Sequence, residues 1–306
     1  MILDIRSAYM SIKLDLYKIF CEVAKFGSFS KAAKSLYMTQ PAVSQAIMQL
    51  ESELEIRLFT RTPRGVVLTN EGEILFEYAN SAINLINVGE KKIIESKNLM
   101  AGELRIGVGD TISRYFLLPF LEKFHCEYPK IKLKVINRTT LELTDLLKSG
   151  EVDMAICNLP VKDSTLEIME LMDIHDIFVC GEKYKDRISI PLSFNEIADL
   201  PLILLEPKSN SRLYVEKYIL SKGVKIEPEI ELGSHDLLLE FARINLGISC
   251  VVKEFSKEYL KNKLIYEVKL CEEIPKRAIG VCFLKTVSLS SAATKFVQDL
   301  EIDKGI

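Results

Sequence analysis

Residues 20–75 read FCEVAKFGSFSKAAKSLYMTQPAVSQAIMQLESELEIRLFTRTPRGVVLTNEGEIL, and this stretch decides the fold of the N-terminal part of the chain. Apolar residues at helical spacing are followed at 28–30 by an N-cap sequence for a short helix over 31–36. Thr39 caps the next helix, and Pro41 lies in its first turn, where a missing N–H costs no hydrogen bond. Two short helices joined by a tight turn are typical of helix-turn-helix DNA binding.

The second helix has one apolar and one polar face. Its apolar face contains Val43, Ile47, Leu50 and Leu54. Exposed glutamines on the other face suit the adenine edge in the major groove. A turn at 60–65 before a short strand at 66–68 suits a wing over the DNA backbone. The pattern favours DNA binding, but it is also compatible with an ordinary helical bundle whose polar face is solvated, so both interpretations stay open at this point.

A long helix is predicted next, over about 70–96, with Thr69 as its cap. Its apolar stripe contains Leu75, Tyr78, Ala82, Leu85 and Ile86. A domain boundary is expected at Ala101-Gly102, because short apolar strands then alternate with amphipathic helices. The predicted strands are 104–108, 131–136, 154–157, 177–180, 202–205, 229–232, 248–252 and 278–284, and the helices are 115–128, 141–149, 211–222, 235–245 and 289–300. This βαβ rhythm predicts a mostly parallel sheet.

Composition narrows the class of protein. The chain has 306 residues, which suggests two or three domains, and 48% hydrophobic with 27% charged residues is ordinary for a globular protein. The apolar runs are shorter than a membrane span, and the N-terminus lacks a signal-peptide core, so we expect a cytoplasmic protein without membrane contact. Met10 is an alternative start. Residues 13–68 carry 8 basic and 5 acidic side chains, which permits DNA binding without demonstrating it.

The seven cysteines are scattered and contain no C-x-x-C motif, so we predict neither a disulfide framework nor a metal site. We expect them to be small buried residues. A thiol redox switch is the alternative, and it would need an exposed thiol of low pKa with a resolving partner.

The stretch quoted above closely resembles the DNA-binding domain of LysR-type transcriptional regulators. The matching residues are Gly27-Ser28-Phe29, Ala32-Ala33, Leu36, Thr39 to Ser44, Ile47, Leu50-Glu51, Leu54, Leu58-Phe59, Arg61, Leu68-Thr69 and Gly72. One departure is Glu55, where the family usually has glycine, and it bears on how the helix ends.

The resemblance implies a winged helix-turn-helix domain over 13–69 and a linker and dimerisation helix over 70–100. The residues that would face the operator are Gln40, Pro41, Ser44 and Gln45, with Arg61 on the wing. Lys31, Lys34, Gln49 and Arg64 are weaker candidates, and solvation alone also accounts for each of them. The apolar stripe of the long helix also calls for a partner helix, which supports a homodimer that reads two half-sites.

The rest of the chain resembles the family's effector domain, an α/β fold like that of type 2 periplasmic binding proteins. The matching residues are Gly102 to Gly107, Leu117-Leu118-Pro119, Phe124, Tyr128-Pro129, Gly150-Glu151, Asp153, Ala155-Ile156 and Gly247-Ile248. The resemblance implies subdomain I over 101–173 and 276–306 and subdomain II over 174–275. The chain would cross between them near Met172 and near Pro275.

Ligands of open α/β sheets lie at the carboxyl ends of strands, against helix N-termini that favour anions. Polar residues after the predicted strands are therefore the candidates for contact with an effector. They are Asp110, Thr111, Ser113, Thr139, Thr140, Ser209, Ser211, Arg212, Ser234 and His235. Each is also compatible with an ordinary helix cap, and only their convergence on one cleft favours a site.

Arg212 has two interpretations. Its guanidinium either pairs with a carboxylate or oxyanion of the effector or forms an ion pair with Glu216, four residues later. Asp110 at the mouth of the cleft would oppose an anion unless the ligand also carried an amine. The predicted effector is therefore a small anionic or amino-acid-like metabolite.

The leading hypothesis is a LysR-type transcriptional regulator controlled by this effector, with no cofactor and no catalytic residues. Its implied partners are operator DNA, a second copy of the chain, in a dimer of dimers, the metabolite and RNA polymerase. An enzyme built on the α/β part is the alternative, but the sequence offers no Ser-His-Asp, Cys-His or metal-ligand set for it. A purely architectural DNA-binding protein is a third interpretation.

Overall fold

The computed structural model describes residues 12–63, 65–96 and 102–302. Arg64, the alternative start at Met10 and the boundary residue Ala101 lie outside the described residues. The chain divides into two compact units, Met1–Ile93 and Ile94–Ile306, which are described separately below. Within the described ranges, no helix combines the length and apolarity needed to cross a membrane.

The first unit contains three helices, a two-stranded hairpin and a long helix. The elements are α1 Leu14–Phe26, α2 Phe29–Ser35, α3 Gln40–Leu54, β1 Phe59–Thr62, β2 Gly65–Leu68 and α4 Asn70–Ser96. The predicted caps are confirmed, since Ser28 Oγ accepts from the N–H of Lys31 at 3.4 Å and Thr39 Oγ1 accepts from that of Ala42, also at 3.4 Å. The prediction of a turn over 60–65 is wrong in part, because residues 60–62 belong to β1, which pairs with β2.

A buried carboxylate ties α3 to the hairpin. Glu51 Oε1 accepts from the backbone N–H of Leu58 at 2.8 Å and of Phe59 at 3.3 Å, and Oε2 pairs with Arg57 Nη1 at 3.0 Å. Around it, the apolar face of α3 packs into one core with α1 and the hairpin, and Val43 and Leu50 are fully buried. The C-terminal part of α3 is therefore tied to the start of the hairpin.

The long helix α4 uses two different faces. Leu75, Phe76, Ala79 and Ile83 pack against the core of the first unit. Ile74 and Tyr78 lie on another face and are exposed, with Tyr78 72% accessible. Ile86 is also exposed, about three turns beyond Leu75 along the helix. The stripe predicted to meet a partner helix is therefore corrected at Leu75, which packs against the core of the first unit. Ile74 is exposed on the outer face instead.

The second unit contains two five-stranded sheets. Its strands are β3 Gly102–Val108, β4 Ile131–Asn137, β5 Met154–Asn158, β6 Leu166–Ile174, β7 Asp176–Cys180, β8 Leu202–Leu205, β9 Ile230–Leu232, β10 Ile248–Val252, β11 Tyr266–Val268 and β12 Arg277–Leu284. The helices are α5 Asp110–Ile112, α6 Leu118–Glu127, α7 Thr140–Lys148, α8 Phe194–Ala198, α9 Asn210–Ser221, α10 His235–Arg243, α11 Lys257–Lys261 and α12 Ser291–Ile302. A π-helical turn, Ser113–Leu117, joins α5 to α6.

The first sheet has the order β4-β3-β5-β12-β6 and the second the order β11-β7-β10-β8-β9. Four strands of each sheet run in the same direction, so the expectation of a mostly parallel arrangement holds. The reversed strands are β12 and β7, because each enters its sheet from the other one. The sequence analysis missed β6 and β11, neither of which is a fully buried apolar run.

The chain passes from the first sheet to the second at His175 and returns between Val268 and Arg277. The first residues of the two reversed strands meet at this crossing. Arg277 pairs with Asp176 through two bonds of 2.5 and 2.8 Å, and both side chains are at most 3% exposed. Arg277 also donates to Asn158 Oδ1 at 2.6 Å and to Ser211 Oγ at 2.9 Å. One guanidinium thus fixes the ends of β5, β7, β12 and α9 together.

The expectation that all the cysteines are buried is wrong for two of them. Cys21, Cys157, Cys180 and Cys282 are buried, and Cys250 is half-buried. Cys126 and Cys271 are exposed, because they lie in the last turn of α6 and in the loop after β11.

We predict that Glu55→Gly raises the free energy of unfolding by about 0.5–1 kcal/mol. Glu55 ends α3 with a φ of 56°, in the left-handed region that glycine adopts without steric cost. Denaturant titration of the full chain measures the change. Glu53→Gly is the control. It places glycine inside the helix, where it should lower the free energy of unfolding by about the same amount. Equal destabilisation by both variants would contradict the prediction.

We predict that Arg277→Gln lowers the free energy of unfolding by about 3–5 kcal/mol, since it leaves a buried carboxylate without its partner. The neighbouring Lys276→Gln is the matched control. Lys276 pairs with Asp173 at the surface, where both side chains are more than half exposed, and its loss should cost less than about 1 kcal/mol. Similar losses in the two variants would show that burial does not set the strength of the Arg277 pair.

Candidate functional site

The first unit presents its predicted DNA-contacting residues on one helix and on neighbouring surface positions. Gln40, Pro41 and Gln45 are exposed at the N-terminal end and outer face of α3, and Ser44 is half-buried beside them. Lys31 and Lys34 on α2 and Arg61 on β1 are exposed as well. Gln49 is exposed but already donates to Glu53 Oε1 at 2.8 Å.

Sequence reasoning overlooked Tyr37 in this region. Its side chain is 99% exposed, and its φ of 54° places it in the left-handed region. It occupies the turn between α2 and α3, directly before the helix that carries Gln40. The sequence signal that could have identified Tyr37 is an aromatic residue in a tight turn, where glycine or asparagine is usual.

The second unit contains a cleft of about 380 Å³ at the carboxyl ends of its strands. Asn137 and Asn158 end β4 and β5 on one side, and Leu205 and Leu232 end β8 and β9 on the other. Eight of the ten predicted effector residues line it, namely Asp110, Thr111, Thr139, Thr140, Ser209, Ser211, Arg212 and His235. Ser113 and Ser234 are not among the lining residues. Lining residues that the sequence analysis missed include Asn158, Glu206, Lys208 and Cys250, which follow no cap pattern.

The wall formed by the first sheet carries carboxylates. Glu142 Oε2 accepts from both the N–H and the hydroxyl of Thr139, at 2.9 and 2.7 Å, in a capping box at the start of α7. These bonds lower the pKa of Glu142. Asp110 is exposed, and its Oδ1 accepts from Asn137 Nδ2 at 3.3 Å. The N-terminus of α7 is therefore already occupied by a negative group of its own.

On the opposite wall, Arg212 is bound by other protein groups. Its Nε donates to Glu216 at 2.6 Å, and its Nη1 donates to Glu231 at 2.6 Å and to the carbonyl of Leu205 at 2.7 Å. Of the two interpretations of Arg212, the ion pair with Glu216 is present in the structure. Its contact with an effector stays a prediction.

His235 lies at the start of α10 and is only 3% exposed. The backbone N–H of Val252 donates to its Nε2 at 3.2 Å, so Nε2 is the unprotonated nitrogen of the neutral ring. Burial, partly opposed by the charge of Asp236, lowers the pKa of His235 to about 4. The proton therefore stays on Nδ1, which is buried and has no hydrogen-bond partner among the residues that the structure describes.

Hydrogen bonds connect the two walls. Asp236 on α10 accepts from Arg114 Nη1 at 2.6 Å and from the hydroxyl of Tyr115 at 2.5 Å, and both donors lie on the π-helical turn. Burial and the bond to Asp236 raise the pKa of Tyr115. Asn210 Nδ2 donates to the carbonyl of Asn158 at 2.8 Å. The cleft thus lies between two subdomains that touch at its edges as well as at the Arg277 crossing.

Comparison with known proteins matches both units to described families. "Bacterial regulatory helix-turn-helix protein, lysR family" matches residues 14–73, and "LysR substrate binding domain" matches residues 97–301. The chain is 28% identical over 275 residues to the "Probable RuBisCO transcriptional regulator" of Guillardia theta, a match that covers 88% of each chain.

Solved structures share the fold at lower identity. Full-length OxyR from Pseudomonas aeruginosa matches with a TM-score of 0.69 and 20% identity over 95% of this chain and 94% of that one. Full-length CbnR in complex with its target DNA matches with a TM-score of 0.64 and 18% identity, covering 96% of this chain and 100% of that one.

These matches confirm the predicted fold class, a winged helix-turn-helix domain followed by a two-subdomain α/β domain. The family that describes the second unit alone spans residues 97–301, about two thirds of the chain. The protein therefore belongs to the LysR family of bacterial transcriptional regulators.

Proposed function

We propose that this LysR-family protein binds specific operator DNA and that a small anionic or amino-acid-like metabolite controls this binding. The observation that carries the proposal is the cleft of about 380 Å³ at the strand ends of a domain described as substrate binding. Pockets of this size between α/β subdomains are typical sites for small ligands.

DNA contact would come from the N-terminal end of α3. Gln40 and Gln45 are exposed there, and glutamine pairs with the adenine edge in the major groove. The exposed Lys31, Lys34 and Arg61 would contact phosphates on either side. The likeness to CbnR, which was solved with its target DNA, supports this arrangement.

The proposed organisation assigns residues 13–69 to DNA binding, 70–100 to dimerisation and 101–306 to the effector. The exposed Ile74 and Tyr78, with Ile86 farther along α4, supply apolar surface for a second copy of the chain. A two-fold dimer, or a dimer of dimers, would read paired half-sites. Transcriptional control further requires an effect on RNA polymerase. It also requires that the protein be located with the DNA, in the cytoplasm.

We propose that the cleft binds its metabolite without transforming it. The relative from Guillardia theta is named a transcriptional regulator, and Arg212, Asp176 and Glu142 of the cleft are engaged in bonds to other protein groups. A ligand that prefers one separation of the two subdomains would shift the population toward that state. Its differential affinity for the two states would set the change in operator affinity.

We predict that Gln40→Ala and Ser44→Ala each weaken binding to the selected operator by about 1–3 kcal/mol, with little change on random DNA. The operator is first selected from random duplexes with the full chain, and the affinities are then measured at one fixed salt concentration. Lys31→Ala should weaken both kinds of DNA alike. Gln298→Ala, an exposed glutamine on α12, is the neutral control. Equal losses on operator and random DNA for Gln40→Ala would remove it from base reading.

We predict a histidine-dependent loss of stability in mild acid. The folded pKa of His235 is about 4, below the ordinary value of about 6.5, so the folded state binds this proton more weakly than the unfolded state. The contribution is complete above pH 6.5 and is lost as the pH falls toward 4, by about 3 kcal/mol in total. His235→Gln should flatten this part of the pH profile, whereas the exposed His125→Gln should not. An unchanged slope in His235→Gln would refute the neutral assignment.

A further inference from the structure

The two walls of the cleft have opposite hydrogen-bonding character. On the wall of the first sheet, Glu142 caps the N-terminus of α7, and Asp110 stands exposed at the mouth. An anionic group brought to this wall would meet two carboxylates, together with the guanidinium of Arg138. This guanidinium donates to the carbonyl of Asn137 and, like Lys208, lowers the pKa of Glu142. The same carboxylates would attract a ligand's ammonium group.

The wall of the second sheet presents donors instead. The helices α9 and α10 have 12 and 9 residues, and residues at the start of both line the cleft. The first N–H groups of a helix have no partner within it. The N-cap residues Ser209 and Ser234 supply no side-chain bond to these groups within the described part of the chain. The first N–H groups of both helices are therefore open to an acceptor from the ligand. The first turn of α10 also carries Asp236, whose two carboxylate oxygens accept from Arg114 and Tyr115.

His235 independently points to a ligand acceptor on this wall. It lines the cleft, and only 3% of its surface is exposed. Its Nδ1–H has no partner among the described residues. A buried donor without a partner costs about 1–3 kcal/mol. An oxygen atom of a bound ligand would satisfy it.

The charged side chains near this wall do not replace the helix ends. Arg212 is held by Glu216 and Glu231, and Arg277 is held by Asp176. Glu206 and Lys208 are exposed at the rim and carry opposite charges two residues apart. The negative group of a ligand would therefore be stabilised mainly by helix N-termini and His235.

We propose that the cleft takes a small α-amino acid or a close analogue in one orientation. Its carboxylate binds the N-termini of α9 and α10 with His235 Nδ1–H, and its ammonium group binds Asp110. This inference rests on the proposed function, in that it assumes that the cleft is the effector site. A dicarboxylate would place its second charge against Asp110 and Glu142. A simple amine would leave the donors of the opposite wall unpaired.

The test is isothermal titration of the full chain with the twenty common amino acids. Each amino acid that binds is compared with its amide, which lacks the carboxylate, and with its des-amino acid, which lacks the ammonium group. We expect both analogues to bind at least about tenfold more weakly. Asp110→Asn should weaken amino-acid binding by about tenfold and leave or improve binding of the des-amino acid. Asp145→Asn, on the exposed surface of α7 outside the cleft, should change neither.

The inference is overturned if des-amino acids bind as tightly as amino acids, if Asp110→Asn weakens both alike, or if no amino acid binds. The proposed function fails separately, when the full chain selects no DNA sequence or when a ligand that binds leaves operator affinity unchanged. Asp110 is exposed, so the variant tests binding and not folding.

Discussion

The buried pair of Arg277 and Asp176 is the interaction on which the effector domain depends. These residues begin the two reversed strands, so their contact defines the place where the chain leaves one sheet and returns from the other. Removing two charges from water is costly, and the cost is offset only when the pair has good geometry and further hydrogen bonds. The further bonds of Arg277 to Asn158 and Ser211 meet that condition and bring both lining residues to the cleft.

The DNA-binding unit is organised around a comparable buried charge. Glu51 joins α3 to the start of the hairpin through two backbone N–H groups and Arg57. The positions of Gln40 and Arg61 relative to each other are consequently fixed before any DNA is bound. Pre-organisation of this kind reduces the entropy lost on binding, which matters in a domain whose net positive charge is small.

Much of the fold could be predicted because local chemistry determines it. Ser28, Thr39 and Thr139 each cap the helix that follows them, and the alternation of strands and helices identifies the α/β domain. The direction of β7 and β12 could not be predicted, since it depends on how the chain crosses between sheets. The partners of Arg277 lie 66 to 119 residues away in sequence, and no spacing rule reaches that far.

In the candidate site, too, local sequence predicts some features, and only the fold determines the others. Eight of the predicted polar residues converge on the cleft as strand-end chemistry predicts, whereas Ser113 and Ser234 do not line it. For Arg212 the sequence left two interpretations, and the choice depended on Glu231, which only the fold brings near. The unpaired Nδ1 of His235 was likewise invisible, because burial and the contact with Val252 together determine its tautomer.

We propose that occupation of the cleft and recognition of DNA are coupled. The most direct measurement is the affinity of the full chain for its tightest-binding amino acid, determined both without DNA and with saturating selected operator. Coupling free energy is reciprocal, so the ligand Kd should change on operator binding by the same factor as the operator Kd changes on ligand binding. Identical ligand affinities in the free and the operator-bound protein would contradict the account.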